Sequence, residues 1–245
     1  MTSVSPAIPA YLPRADKADD RLYPARHHSR YAVATRLRQA VERATREYIA
    51  TLQSPTLLDF GCGDQPYRPV IAPHVARYLG VDLPGNARAD FAINPDGSTT
   101  APARIADAVL STQVLEHVAD PAQYLAEAHR LLKPGGRLIL STHGLWLYHP
   151  DPTDYWRWTG PGLRRHVEGA GFTTLSLTGV LGLLPAALQL AQDALMRRLL
   201  PKRARRLVGP PLALLTQTPF LWLDALHTDA QRADESAVFL IVAQK

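Results

Sequence analysis

Between residues 32 and 52, apolar side chains recur at steps of three or four: Val33, Leu37, Ala40, Val41, Ala44, Tyr48 and Leu52. Charges fill the positions between them, which predicts a helix with one buried face. Ser54-Pro55 stops that helix. The period then changes. Thr56–Asp59 is a short apolar run of the kind that forms a buried parallel strand, and it breaks into Gly61-Cys62-Gly63. Comparable runs at Arg77–Val81, Ala89–Ile93, Ala108–Ser111, Arg137–Ser141, Phe172–Thr178 and Ala237–Ala243 predict six further strands. Helical stretches separate them. One is delayed by Pro66 and Pro69 and reaches about Val75; residues 98–107 read as a loop or a single turn. Asp120-Pro121 opens the next, with Asp as N-cap and Pro at the first helical position. Its buried face is Tyr124, Leu125, Ala128, Leu131 and Leu132, and Pro134-Gly135-Gly136 is expected to end it. Gly162–Gly169 is another. Strands alternating with helices predict an α/β fold with a mostly parallel sheet and helices on both faces.

Three stretches fall outside that alternation. Residues 1–30 carry Pro6, Pro9, Pro13 and Pro24 with mixed charges, the composition of a loosely ordered arm. Tyr11, Tyr23, His27, His28 and Tyr31 suit it to a second role, as a lid. Residues 142–159 follow a strand end and pack two histidines, two aspartates, an arginine, two tyrosines and three tryptophans into one connection, more chemistry than a linker needs. Residues 180–228 form an insertion. Leu181–Leu200 and Leu207–Leu226 are mostly apolar, interrupted by Pro201, Pro210-Pro211 and Pro219, with Arg197, Arg198, Lys202, Arg203, Arg205 and Arg206 between them. A cap over an acceptor pocket, a contact between two copies of the chain, and a basic apolar segment lying on a membrane all fit. The organisation expected is an N-terminal arm and helix at 1–54 and one domain at 55–245 carrying this insertion. No internal repeat is visible.

Composition narrows the class. The chain has 245 residues, 46% of them apolar, enough for a sizeable core. One cysteine rules out an internal disulfide framework and fits a reducing, cytoplasmic setting. The start is polar and lacks the apolar segment of a signal peptide, and no stretch holds 18 uninterrupted apolar residues. The net charge of +5 permits an anionic partner without requiring one. The basic residues of 197–206 raise an RNA substrate, but no separate RNA-binding module is visible, so no nucleic-acid partner is expected.

The glycine turn points to a nucleotide-like cofactor. In an open α/β sheet, ligands bind in the crevice outside the carboxyl ends of the strands. Gly61-Cys62-Gly63 lacks the third glycine of a dinucleotide fingerprint, because Pro66 stands there, and it lacks the Gly-Lys-Ser/Thr of a P-loop. A second acidic strand end follows in Tyr78-Leu79-Gly80-Val81-Asp82-Leu83, placed to accept hydrogen bonds from ribose hydroxyls. Asp59 beside the glycines would repel a pyrophosphate and suits a cationic, amino-acid-bearing cofactor.

Taken with Leu57-Leu58-Asp59-Phe60-Gly61-Cys62-Gly63, three further elements occur in order: Ala108–Val118, Leu131–Leu138 and Glu168-Gly169-Ala170-Gly171-Phe172. This set resembles the class I S-adenosylmethionine-dependent methyltransferases over about residues 55–180 and a last strand near 237–243. The resemblance implies a Rossmann-like seven-stranded, mostly parallel sheet with an antiparallel last strand, an N-terminal helical lid, and S-adenosylmethionine as cofactor. It also assigns roles. Gly61, Cys62 and Gly63 form the turn under the methionine part, and Asp59 meets its amino group. Asp82 binds the ribose and Leu83 lies against the adenine. Asp96 and Gly97, in the turn after the third strand, meet the adenine edge. Ser111 and Gln113 lie beside the sulfonium.

A methyl acceptor that is an alcohol needs a base, and histidine serves near neutral pH. His143, just beyond the fifth strand, is the favoured candidate, with His117 and His149 beside it. Aromatic faces together with acids and a guanidinium in the 142–159 loop point to a saccharide acceptor, bound by Tyr148, Asp154, Tyr155, Arg157 and Trp158. The Asp-Tyr-Trp-Arg-Trp-Thr element is similar to methyltransferases of bacterial glycan synthesis, one group of which O-methylates mannose units of polysaccharides. A lipid, quinone or polyketide acceptor is the alternative. No metal ligands are assigned; His149, Asp151 and Asp154 leave a divalent cation such as Mg²⁺ open.

Overall fold

A computed structural model of the chain describes residues 21–151 and 153–245. The strands are β1 (Thr56–Phe60), β2 (Arg77–Asp82), β3 (Phe91–Ala92), β4 (Ala106–Thr112), β5 (Leu132–His143), β6 (Thr173–Gly182) and β7 (Ser236–Gln244). They form one sheet in the order β3-β2-β1-β4-β5-β7-β6. The pairs β1–β2, β1–β4, β2–β3 and β4–β5 are parallel, and β7 runs antiparallel to both β5 and β6. The strand order reverses between β1 and β4, so the ligand crevice expected of such a sheet opens at the carboxyl ends of these two strands.

Residues alternate between the two faces of the sheet. Leu57, Ala108, Leu110, Ile139, Leu240 and Val242 pack on one side with helix α1 (Tyr31–Ala44). Leu58, Phe60, Val109, Leu138, Phe239 and Ile241 pack on the other with α3 (Pro121–Leu131) and α4 (Gly160–Gly169). A short helix, α2 (Arg68–Ile71), follows the glycine turn, with the 3₁₀ turn Ala72–His74 after it. The insertion forms α5 (Leu183–Leu199) and α6 (Lys202–Asp224), and α7 (Asp229–Asp234) leads into β7.

The N-terminal helix is a layer of the domain. Val33, Leu37, Val41 and Ala44 are buried against the sheet, and α1 continues into a π-helical turn, Thr45–Ile49. Of the side chains read as a lid, Tyr11 lies outside the described residues. Tyr23 and His27 are exposed, with the Arg38 guanidinium 5.3 Å from the Tyr23 ring centre.

Three boundaries differ from expectation for local reasons. β3 is only two residues long, because Asp90 accepts from the Gly80 amide at 2.8 Å and Ile93 bridges antiparallel to Thr99. Pro134-Gly135-Gly136 lies within β5 and does not cap α3; Leu132 is already extended and pairs with Ala106. Of the insertion's prolines Pro201 separates α5 from α6, but Pro210, Pro211 and Pro219 do not interrupt α6, which runs through all three.

Candidate active site

The glycine turn leaves β1 with Gly61 at φ +77, and its amide donates to the Val81 carbonyl at 2.8 Å. A Cβ on Gly61 would stand 2.5 Å from a Val114 methyl, so both the backbone angle and the space require glycine. Gly63 (φ +50) differs: a Cβ there would meet nothing within 4 Å. The turn is tied to the tip of β2. Asp82 accepts from Gly63 N–H at 2.8 Å and from the Asn86 side chain at 2.6 Å on Oδ2, and from Leu83 N–H at 2.8 Å on Oδ1. Asn86 also donates to the Gly63 carbonyl at 2.9 Å. Asn86 is buried and braces the carboxylate, a role that its isolated place in the Gly85-Asn86 turn did not reveal. The Cys62 thiol is buried beside this group; burial, and then the charges of Asp59 and Asp82, push its pKa up, so it stays protonated.

Asp59 is nearly inaccessible and accepts the Tyr78 hydroxyl at 2.6 Å. Burial pushes its carboxyl up from 3.8 to about 7, against the Tyr78 hydrogen bond and with the Asp82 charge adding to the rise. Between those two values the folded chain holds a proton that the unfolded chain releases. Stability therefore falls as pH rises across that window, by at most about 4 kcal/mol. Asp59→Asn removes this dependence. In urea titrations at about pH 5 and about pH 8, the variant is expected to gain stability relative to wild type at the higher pH. A constant difference between the two proteins would show that Asp59 ionises normally.

The other cofactor candidates divide by exposure. Leu83, Gly97 and Gln113 are partly exposed, and Gln113 (φ +57) extends its amide to Ser141 Oγ at 3.2 Å. Asp96 is exposed and turned onto its own loop, accepting from Ser98 N–H at 3.0 Å and Ser98 Oγ–H at 2.6 Å, which hold its carboxyl below the usual range. Ser111 is wholly buried, its hydroxyl 2.9 Å from that of Tyr124, which lies under Phe60 on the α3 side of the sheet. Its side chain packs against Tyr124 on that side.

The three candidate histidines come together at the ends of β4 and β5. His149 stands edge-on to both others, with ring centres 5.4 Å from His117 and 5.6 Å from His143. The His143 ring stacks on Trp146 at 5.1 Å, and the Arg30 guanidinium lies 5.6 Å from the Trp146 centre. Beneath them is Glu116, fully buried at 0% exposure. Its Oε1 lies 3.0 Å from His143 Nδ1 and 3.9 Å from His117 Nε2, and Oε2 accepts the Thr142 hydroxyl at 2.9 Å. Burial alone would raise this carboxyl, but His143 and then His117 hold it below the usual range. His143 is 4% exposed, so its ring is enclosed. His149 is the more open one. Burial, then Arg30 and the neighbouring histidines, push its pKa down to about 4, so it is neutral at neutral pH.

The aromatic loop has an internal frame. Arg157 clamps Asp154 through two contacts of 2.6 Å and donates to the Trp146 and Leu147 carbonyls at 3.0 and 2.8 Å. Asp154 also accepts from His149 N–H at 2.7 Å. The backbone N–H groups of Tyr155 and Trp156 both donate to the Glu116 carbonyl, which ties the loop to the turn after β4. Trp158 packs on Trp156 and His166, pointing toward α4. Of the five acceptor-binding candidates, Tyr148 (68%), Tyr155 (54%) and Arg157 are exposed, the last already engaged within the loop. The cation site left open by the sequence does not fit this arrangement. Asp154 is already taken, and among the described residues no group of three or more His, Cys, Asp or Glu is gathered to hold a metal.

The sheet order, the antiparallel β7, the glycine turn and the braced carboxylate at the tip of β2 together define a class I S-adenosylmethionine-dependent methyltransferase. Residues 25–177 match the family described as Methyltransferase domain, and the chain belongs to that family. An S-adenosylmethionine-dependent methyltransferase from Mesorhizobium loti superposes with a TM-score of 0.54 at 16% identity, covering 86% of this chain and 98% of that one. The [4+2]-cyclase SpnF does so with 0.52 at 21% identity, covering 85% and 82%. Among curated proteins, the ubiquinone biosynthesis O-methyltransferase of Dinoroseobacter shibae is 33% identical over 126 residues, 44% of this chain and 51% of that protein. That of Cereibacter sphaeroides is 40% identical over 99 residues, 35% and 40% respectively. The chain thus matches about half the length, or less, of these relatives.

Proposed function

We propose that the chain methylates a hydroxyl on a ring-bearing, largely apolar acceptor of the phenol or quinone class, using S-adenosylmethionine. The observation that carries this reading is the cluster of His149, His143 and His117 over the buried Glu116, in the turn after β4 whose Val114 side chain lies against Gly61. The open space at Gly63 and the acceptor capacity left on the Asp82 carboxylate fit the amino-acid and ribose parts of the cofactor. When bound, the cofactor supplies an electrophilic methyl group on sulfur. The chain has to place a hydroxyl in line with it, exclude water and take the hydroxyl's proton.

His149 is assigned the proton. It is neutral, partly open and stands edge-on to the other two rings, whereas the enclosed His143, with Glu116 3.0 Å from its Nδ1, is a positioning residue. The saccharide acceptor has weaker support. Three of the five side chains chosen for it, Asp154, Arg157 and Trp158, are engaged within the loop, and the curated relatives carry a quinone-pathway name. Mass spectrometry of reactions with catechols, hydroxyquinones and monosaccharides tests the choice. Methylation of a phenolic oxygen is expected, and His149→Ala should lower kcat/KM by about 10²- to 10⁴-fold. Preferential methylation of a sugar would overturn it.

A further inference from the structure

Helices α5 and α6 turn much of their apolar surface outward. Beside Pro185, Ala186, Ala213 and Phe220, their buried positions include three polar side chains: Gln189 on α5, and Gln217 and Asp224 on α6. These groups do the fastening. Gln217 Nε2 donates to Gln189 Oε1 at 2.7 Å, and Gln217 Oε1 accepts the Ala32 amide at the start of α1 at 3.0 Å. Asp224 pairs with Arg36 at 2.9 Å and accepts the Gly182 amide at 2.8 Å. Much of the large apolar surface is left outside, although Leu221 and Leu223 pack against the core. Leu195, Leu199, Leu207, Leu215, Trp222 and Leu226 are each between 60% and 78% exposed. A water-facing helix has the opposite arrangement, with apolar residues inward, and a contiguous exposed apolar surface marks an interaction site.

Charge selects the partner. The junction of the two helices carries Arg197, Arg198, Lys202, Arg203, Arg205 and Arg206, and residues 194–223 contain no Asp or Glu. A surface that is apolar and purely cationic matches the interface of an anionic bilayer, where leucine and tryptophan enter the acyl boundary and arginines meet phosphates. RNA would match the arginines and leave the leucines unexplained. Among the described residues no helix is long and apolar enough to cross a membrane, so contact is from one side.

We propose that the α5–α6 hairpin docks the protein on anionic phospholipid. This inference does not depend on the acceptor class, because docking is read without turnover. The test is co-sedimentation of the full chain with phosphatidylcholine vesicles, with and without phosphatidylglycerol. Binding is expected only to the anionic vesicles and should weaken as salt is raised. Arg203→Glu/Arg206→Glu should lower the partition coefficient by about fivefold or more per arginine. Leu195→Asp/Leu215→Asp should lower it about tenfold or more at unchanged far-UV circular dichroism. Three results would overturn the proposal: no vesicle binding by the wild-type chain, binding indifferent to both double variants, or a stable dimer in sedimentation velocity that the leucine variant dissociates while vesicles are ignored. Retention of the chain by RNA in place of vesicles would do the same. S-adenosylhomocysteine binding, measured alongside, is expected to be unchanged in both variants.

Discussion

Glu116→Ala is expected to cost both turnover and stability. The carboxylate is fully buried, 3.0 Å from His143 Nδ1, and accepts the Thr142 hydroxyl. Removing one member of such a buried group leaves the others without a partner, at about 3–5 kcal/mol. For a chain of this length that is a fall in Tm of about 10 °C. Turnover should drop by about 10²-fold or more, because His143 loses the group that fixes its ring, and the His143 ring is the one 5.6 Å from His149. Glu116→Gln separates the two effects. It keeps the volume and an acceptor for Thr142 while removing the charge, so it should recover most of the Tm and little of the rate. The sign of the pH dependence is also fixed. The folded-state carboxyl titrates below its unfolded value, so its contribution is present above the unfolded pKa and is lost as pH falls through the folded one. Both variants should therefore show a shallower acid limb of stability than wild type. A variant with native kcat would remove Glu116 from the account.

Asp82→Ala is expected to weaken S-adenosylhomocysteine about ten- to hundredfold, or about 1.5–3 kcal/mol. The carboxylate is braced from three sides, by Gly63 N–H, Leu83 N–H and the Asn86 amide, so it is preorganised before any ligand arrives. Its loss removes a charged acceptor for hydroxyls and also frees the glycine turn that Asp82 ties to β2. Asn86→Ala should give a smaller loss in the same direction, since only the brace is removed. Equal affinities for wild type and Asp82→Ala would place the ribose elsewhere.

The fold was legible because its signals are local. Buried strands, the glycine turn, the Asp120-Pro121 helix start and the strand-end Asp82 each announce themselves within a few residues. Glu116 was not legible as a centre of the site. In the sequence it is an acid between Leu115 and His117 in the turn after β4; its burial arises only when β5 brings Thr142 and His143 across the sheet. An acid enclosed by Leu115 and Val118 was the available hint. The insertion stayed open between three readings for the opposite reason. Leucines at helical spacing ordinarily mark the packed face, but here Gln189, Gln217 and Asp224 anchor the helices to α1 and the start of α5. Arg157, Asp154 and Trp158 have the residue types of a ligand site, and only the path of the loop shows that Arg157 and Asp154 hold each other while Trp158 packs on Trp156 and His166.

Binding of the methyl donor in the crevice at the ends of β1 and β4, beside the tip of β2, is tested most directly by calorimetric titration of the wild-type chain with S-adenosylhomocysteine. Saturable binding at a single site, competed by S-adenosylmethionine, is expected. A well-folded chain that takes up neither would contradict it.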